Sequence, residues 1–456
     1  MSSFVTTDCK NVFFDLFRQD IEDTNTSLYL GISSADSSSD GLFGQNQARN
    51  EMNFVKVISS KSFVLDNYTW TSGVVYNAYD DNDPDQTQFY VINSSNEVFL
   101  CLHTAKNSEG VKLSSTVEPT ETLAIAYNGT GNSFGTTDGY VWRYLYSLTA
   151  ASINNFKTLD YIPVQKIYSS SFITEEQQQK NLQDAAVGGE ILSIQIDSGG
   201  TGYVFAPRID IVGNGTGGAF TAVVDDGKIV DVKVDSASNV VLHGSGYDYV
   251  ELELSGGDAS LRAVLGPRDG VNDDPVRTLR ADKFMVNTEI QDDEDGTIPL
   301  ADPVNDFKQV MLLRNPLVYG TSQDSAFTAN AGNAMNYLEI ENVQNGPFGA
   351  DQIIQNNDQS ATAKVYWHDV VSTPNRLYYT QNHTTGFGAF AETQSLTSTT
   401  QSPTCTANIT ATGLKDPQVD RYSGQVLYIN NLDTSIERTS TQTENIKIVI
   451  DLGQEG

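Results

Sequence analysis

Apolar residues fall at helical spacing chiefly at the start of the chain. Val12, Phe13, Leu16, Phe17 and Ile21 recur every three or four positions. That pattern predicts an amphipathic helix capped by Thr7 or Asp8. Beyond it the pattern becomes short runs of β-branched and aromatic residues bounded by Asn, Ser, Gly and Asp. Residues 26–32, 89–92 and 97–102 are of this kind and predict strands. Residues 174–184, rich in Glu and Gln, read as a second, polar helix.

Strict alternation marks residues 229–235. Val230, Val232 and Val234 alternate with Asp231, Lys233 and Asp235, the period of a strand with one apolar and one polar face. This run follows Asp225-Asp-Gly-Lys228, a hairpin signal, and a strand-like stretch over 219–224. The same region contains Gly213-x-Gly215-x-x-Gly218 after an apolar run, with Asp235 downstream. That is the spacing of a dinucleotide-binding loop, but such a loop must open a helix whose N-terminus faces the pyrophosphate. Here a strand pattern follows, so the glycines read as turn residues.

The turns belong to a repeat. Residues 190–198 answer to 228–236, and Gly200-Thr-Gly-Tyr203 answers to Gly244-Ser-Gly-Tyr247. Ile209 and Ile211 answer to Leu252 and Leu254, and 219–224 to 260–265. The unit resembles a glycine-rich β repeat inserted in many phage virion proteins. A second stretch, 322–412, is rich in Asn, Gln, Thr and Ala. It shows strand runs at 337–340, 361–366 and 376–379, and turns at 346–349 and 385–388. It reads as a small β domain.

Length and charge narrow the field. A chain of 456 residues implies two or three domains. With 27 Lys+Arg against 58 Asp+Glu the net charge is −31, which disfavours nucleic acid and anionic membrane as partners. Hydrophobics at 39% and aromatics at 10% belong to a folded protein rather than an acidic tail. The start lacks a basic segment followed by an apolar one, so no secretory leader is expected. No apolar run approaches the roughly eighteen residues of a membrane span. Cys9, Cys101 and Cys405 lie far apart, giving neither a zinc cluster nor a disulfide framework.

Signals of catalysis are sparse. His103, His243, His368 and His383 show no metal-ligand spacing, and neither a nucleophile elbow nor a P-loop occurs. Acid clusters at 80–85, 272–274 and 292–295 are open to two readings, solvated loops or Ca²⁺ ligands. Tyr203, Tyr247 and Tyr249 either pack their turns or stack on sugars. A glycosidase needs two carboxylates brought together by the fold, and nothing in the sequence selects such a pair.

One motif is more specific. In Asp138-Gly-Tyr-Val-Trp-Arg-Tyr-Leu145 a turn leads into a strand with Tyr140, Trp142 and Tyr144 on one face and Val141, Arg143 and Leu145 on the other. With Tyr161-Ile-Pro-Val164, it resembles a run in the baseplate wedge protein eight family of T-even-type contractile-tail phages. Three more segments resemble that family in the same order. They are Phe307 to Asn315-Pro316, Arg421 to Asn431 with Gly424, Tyr428 and Asn430, and the closing strand 442–450. Residues 26–32, 55–57 and Trp70 sit where the family has comparable features.

The resemblance covers 1–185, 268–320 and 412–456, and leaves 186–267 and 321–411 as insertions. It implies a mainly β fold, a layered β-sandwich core with a few loop helices, plus two inserted small β domains. It further implies a virion structural protein assembled in the bacterial cytoplasm, without catalytic site or cofactor. The family's subunit is a homodimer whose neighbours are wedge proteins six, seven and ten, and it takes part in the rearrangement that triggers sheath contraction. The competing readings are a receptor- or carbohydrate-binding tail protein and a depolymerase using a carboxylate pair. Insertions on a shared core are expected to lie outside it, so that removing about 188–266 leaves a folded dimer.

Overall fold

The computed structural model describes residues 7–23, 25–33, 42–120, 133–167, 174–237, 240–292, 294, 307–321, 325–436 and 442–452. Strands dominate and the chain is mainly β, built of antiparallel sheets with short helices between them. The two helices expected from the sequence are Thr7–Glu22 and Thr174–Asp184. In the first, Ile21 is buried, whereas Val12 and Leu16 are each 57% exposed, so the apolar stripe is only partly covered. The described chain forms two compact units, one built on Ser62–Met285, the other on Phe13–Lys61 and Val286–Ile450. Residues 186–267 lie wholly inside the first unit and 321–411 wholly inside the second.

The first unit is organised by a four-stranded antiparallel sheet in the order Tyr90–Ile92, Glu97–His103, Val141–Ser147, Phe134–Gly135. Tyr76, Val91, Phe99, Cys101, Tyr140, Trp142, Tyr144 and Leu182 form its core. Trp142 stacks on Tyr140 at 5.5 Å and meets Tyr76 edge-on at 5.7 Å, both favourable aromatic geometries. Gly139 permits the turn before this strand, with φ +93°. The Asp138 carboxylate accepts from the backbone N–H of Thr116 at 2.7 Å and Val117 at 2.9 Å. Burial would raise the Asp138 pKa, but these bonds and those from Thr136 and Ser115 outweigh it and hold the group below the usual range.

Within this unit the glycine-rich module shows why its sequence repeats. Strand Ile209–Gly213 pairs with its counterpart Val250–Leu254, Ile209 opposite Leu254 and Ile211 opposite Leu252. The first strand of each copy pairs with the third strand of the other: Ile191–Ser198 with Ser260–Leu265, and Lys228–Val234 with Phe220–Asp225. The copies are therefore interlocked about a pseudo-two-fold axis rather than set side by side. Equivalent glycines share backbone conformation: Gly200 and Gly244 have φ of +66° and +69°, Gly202 and Gly246 of +78° and +75°. Asp226 and Gly227, both at positive φ, make the hairpin turn that Asp-Gly signals. Gly213, Gly215 and Gly218 lie among these strands, and the next element, Phe220–Asp225, is a strand.

The alternation over 229–235 does not survive intact. Val223 pairs with Asp231 but Val224 pairs with Ile229, so Val230 is bulged out. The bulge brings Ile229 into the core beside Val232 and Val234, while Lys233 stays exposed, so Asp231 remains on the polar face. Asp231, expected on the polar face, is buried at 3% exposure.

In the second unit a five-stranded antiparallel sheet runs Ala331–Asn333, Met52–Val57, Leu28–Ser33, Phe307–Arg314, Gln425–Ile436. Tyr29, Met52, Val55, Met311 and Leu313 build its core. The Asn/Thr-rich stretch forms a closed six-stranded barrel, whose first strand, Asn336–Gln344, pairs with the last, Thr406–Lys415. Inward residues such as Leu338, Ile340, Ala363, Val365, Leu377, Leu396 and Ile409 fill it. Closure leaves no free sheet edge.

Candidate functional site

Five family-motif residues from two distant segments converge in the second unit. Strands Phe307–Arg314 and Gln425–Ile436 pair directly, Leu312 opposite Tyr428 and Val310 opposite Asn430. At the end of this pair the chain turns sharply. Asn315 has φ +51°, and its side chain accepts from Ser27 N–H at 2.8 Å while its own N–H donates to Ser27 O at 2.9 Å. Pro316 is buried, and its carbonyl accepts from Phe327 N–H. Gly424 packs against this corner at φ +66°; a Cβ there would stand 2.6 Å from Arg314 O.

Arg49, 8% exposed on helix Leu42–Asn50, fastens the corner. Its guanidinium donates to the carbonyls of Arg421 and Ser423 at 2.7 Å each and of Gly424 at 2.9 Å. Tyr428, half-buried, and Asn430, exposed, line a groove of about 260 Å³ with Ile446 and Ile448. Gly424→Ala should destabilise this unit by about 1–3 kcal/mol, through left-handed strain and the clash with Arg314 O. Urea unfolding of wild type and variant measures it, and an unchanged midpoint would remove the packing argument for Gly424.

In the first unit Tyr140, Trp142 and Tyr144 are fully buried, as is Leu145 on the opposite face. These residues act as core and offer no surface. The same strand carries what the sequence reading missed. Arg143, 4% exposed, donates Nη2 to Glu190 Oε1 at 3.0 Å and pairs Nη1 with Oε2. Its Nη2 also reaches Ser133 Oγ at 3.1 Å. Ser133 Oγ lies 2.8 Å from His243 Nε2, and His243 Nδ1 lies 2.9 Å from Ile191 O.

A carbonyl only accepts, so Nδ1 carries the proton and Nε2 accepts from Ser133. Burial first, then the Arg143 charge, push the His243 pKa down to about 4, leaving it neutral. A charge inside an aromatic strand was the available signal, since a buried Arg requires a partner.

These contacts join the module to the sheet of the same unit, and a second set does likewise. Asp231 sits 3.2 Å from His103 Nε2 and 3.1 Å from Lys106 Nζ. Burial alone would raise the Asp231 pKa, but the neighbouring His103 and Lys106 hold it low. Residues 186–267 are thus part of this unit's packing, which weighs against the expectation of a removable insertion. The contacts responsible, Asp231 with His103 and Lys106 and Arg143 with Glu190, join residues far apart in the chain and leave no mark in composition.

The three tyrosines proposed as surface contacts divide. Tyr247 is 6% exposed and packs beside Gly213, Gly215 and Gly244, where added Cβ atoms would clash with its ring or backbone. It is no surface contact: the ring fills the space that those glycines leave. Tyr203 is half-buried, and its hydroxyl accepts from Ala259 N–H at 3.0 Å. Tyr249 is 59% exposed.

Part of each acid cluster is engaged by protein groups. Asp80 takes Arg262 Nη2 at 2.6 and 2.7 Å, and Asp81 takes Nη1 at 2.8 Å. Asp274 caps helix Pro275–Thr278 and pairs with Lys166 at 2.5 Å. Glu294 pairs with Lys56 at 2.6 Å; residues 293 and 295 of that cluster lie outside the described residues. Among the described residues no three His, Cys, Asp or Glu side chains stand where they could hold a metal ion. His368 Nδ1 accepts from Phe348 N–H at 3.0 Å in the barrel, and His383 is exposed. No helix among the described residues is long and apolar enough to cross a membrane.

No protein-family model matches the chain, and no curated protein matches it significantly.

Proposed function

We propose that the chain is a structural subunit of the baseplate wedge of a contractile phage tail. The observation that carries this reading is the convergence of family-motif residues. Asn315-Pro316 and Gly424 lie far apart in sequence, yet they pack into one corner of one sheet, and Tyr428 sits on the strand that leaves it. Segments that resemble a family only by chance have no reason to be spatial neighbours. The aromatic motif supports the reading in a second way, since Tyr140, Trp142 and Tyr144 supply the core of the other unit.

On this reading the chain is a homodimer and binds other wedge proteins, resembling proteins six, seven and ten. It sits in the virion tail baseplate after assembly in the host cytoplasm. It takes part in the rearrangement preceding sheath contraction, with no catalytic step of its own and no cofactor. Aromatic cores and polar Asn/Thr-rich surfaces suit a protein that holds neighbours over wide interfaces. The receptor-binding alternative at the module's tyrosines loses ground, because Tyr247 is buried and Tyr203 is tied to Ala259.

Light scattering of the purified protein, alone and mixed with candidate wedge partners, tests the proposal. A dimer that enters a complex of fixed stoichiometry is the expected result. A trimer indifferent to those partners would overturn it.

A further inference from the structure

Sheet edges carry unpaired main-chain donors and acceptors, and proteins keep them from pairing by brevity, closure, charge or proline. The barrel is closed, and in the five-stranded sheet the outer strand Ala331–Asn333 has three residues. The sheet that contains Trp142 ends on strands as short, Tyr90–Ile92 and Phe134–Gly135. One edge of the second unit is neither short nor closed. Gln425–Ile436 is the last strand of its sheet, runs for 12 residues, and pairs on one side only among the described residues. It holds no Lys, Arg or Pro, and its single charge is Asp433.

A second open edge lies beside it. Thr443–Asp451, 9 residues long, is also the last strand of its sheet. The two strands flank the groove of about 260 Å³, with Tyr428, Asn430 and Leu432 on one wall and Ile446 and Ile448 on the other. Leu432 and Ile446 are only half-buried, and Leu427 on the same edge strand is 37% exposed. Apolar side chains and free main-chain groups thus reach the surface together.

The occupant has to satisfy two edges in two layers. A single extended peptide serves one edge, and a groove of this volume has room for side chains rather than for a strand laid between the layers. A second copy of the chain, turned about a two-fold axis normal to the layers, brings an antiparallel edge to each. Charge points the same way. Two chains of net charge −31 repel over most of their surface, but Gln425 to Leu432 carries no charge at all. The ladder between this strand and Phe307–Arg314 is regular from Tyr428 to Asn431, between two bulges, so that run can meet its own copy in register.

We propose that the Gln425–Ile436 edge is the homodimer contact, pairing antiparallel with the same strand of a second copy and continuing the sheet across the two-fold axis. The inference rests on the dimer of the scaffold reading and gives that dimer a surface.

Sedimentation equilibrium of the full-length protein from about 0.1 to 100 µM, a range that brackets ordinary dimer affinities, tests it. The wild type is expected to be a dimer. Asn430 is exposed and lies in the regular run. Asn430→Glu and Asn430→Lys each set like charges near one another across the axis and should raise the dimer Kd about a hundredfold. An equimolar mixture of the two variants should associate like the wild type, because each Glu then lies near a Lys. Circular dichroism verifies folding. Amide exchange over 425–432 in the wild type gives a reading independent of any variant, slow in the dimer and faster on dilution. A dimer with the same Kd in both variants, or with edge amides that exchange freely, would overturn this surface and leave the dimer of the scaffold reading standing. A wild type that stays monomeric throughout would overturn both. Edge amides protected only when a candidate wedge protein is added would assign the edge to a foreign strand and reject the second copy.

Discussion

Glu190→Ala is expected to cost the first unit about 3–5 kcal/mol, the scale for breaking a buried ion pair from one side. The loss arises less from the missing attraction than from what is left behind. The Arg143 guanidinium is 4% exposed and would keep only Ser133 as a partner. Ser133 in turn bonds His243, whose other nitrogen faces Ile191 O, so the disturbance runs along the contact between module and sheet.

Trp142 lies in the adjoining core and on the same strand, so urea unfolding followed by tryptophan fluorescence reports the change. The paired replacement Arg143→Met with Glu190→Leu removes both charges and should recover most of the loss. A single variant costing less than about 1 kcal/mol would place the pair in water. By the same logic, deleting 188–266 removes Glu190, His243 and Asp231 at once. It should leave this unit unfolded rather than a trimmed but folded core.

What the sequence made legible was local. The helix over Thr174–Asp184, the Asp-Gly hairpin and the two-copy repeat each rest on signals carried by adjacent residues: polar composition, positive-φ turn residues, recurring Gly-x-Gly-Tyr. What escaped was long-range. Interlocking of the two copies requires the first strand of one to pair with the third strand of the other, and side-by-side copies would show the same repeat. Barrel closure joins Asn336–Gln344 to Thr406–Lys415, with no local mark at either strand. Asp231 keeps to the polar face, but His103 and Lys106 cover it there, and alternation is blind to what packs against a face. The clustered acids at 80–85 drew attention to metal, yet Arg262 takes the first two of them.

Acidification should weaken both units between pH 6.5 and 4. Burial, reinforced by the Arg143 charge, puts His243 at about 4, and burial puts His368 at about 4 against the opposing charge of Asp369. An unfolded histidine titrates near 6.5. Above that value both states are neutral, and the stabilisation is fully present. As pH falls towards 4 the unfolded chain takes up a proton that the folded protein refuses, so unfolding gains ground.

The full loss is about 3 kcal/mol for each histidine, from a shift of roughly two and a half units at 1.36 kcal/mol apiece. Asp138 and Asp231, held low, give up their contributions only below about pH 4, so the two effects occupy separate windows. Urea midpoints at intervals from pH 7 to 4.5 measure the slope. His368→Gln should reduce it by up to about 1.4 kcal/mol per pH unit in the transition that Trp367 reports. His243→Gln should do the same for the transition seen by Trp142. Stability that stays flat from pH 7 to 4.5 would mean that both imidazoles accept protons in place. The Ser133 and Phe348 bonds to their bare nitrogens would then be lost without cost, a result irreconcilable with rings buried at 3% and 7% exposure.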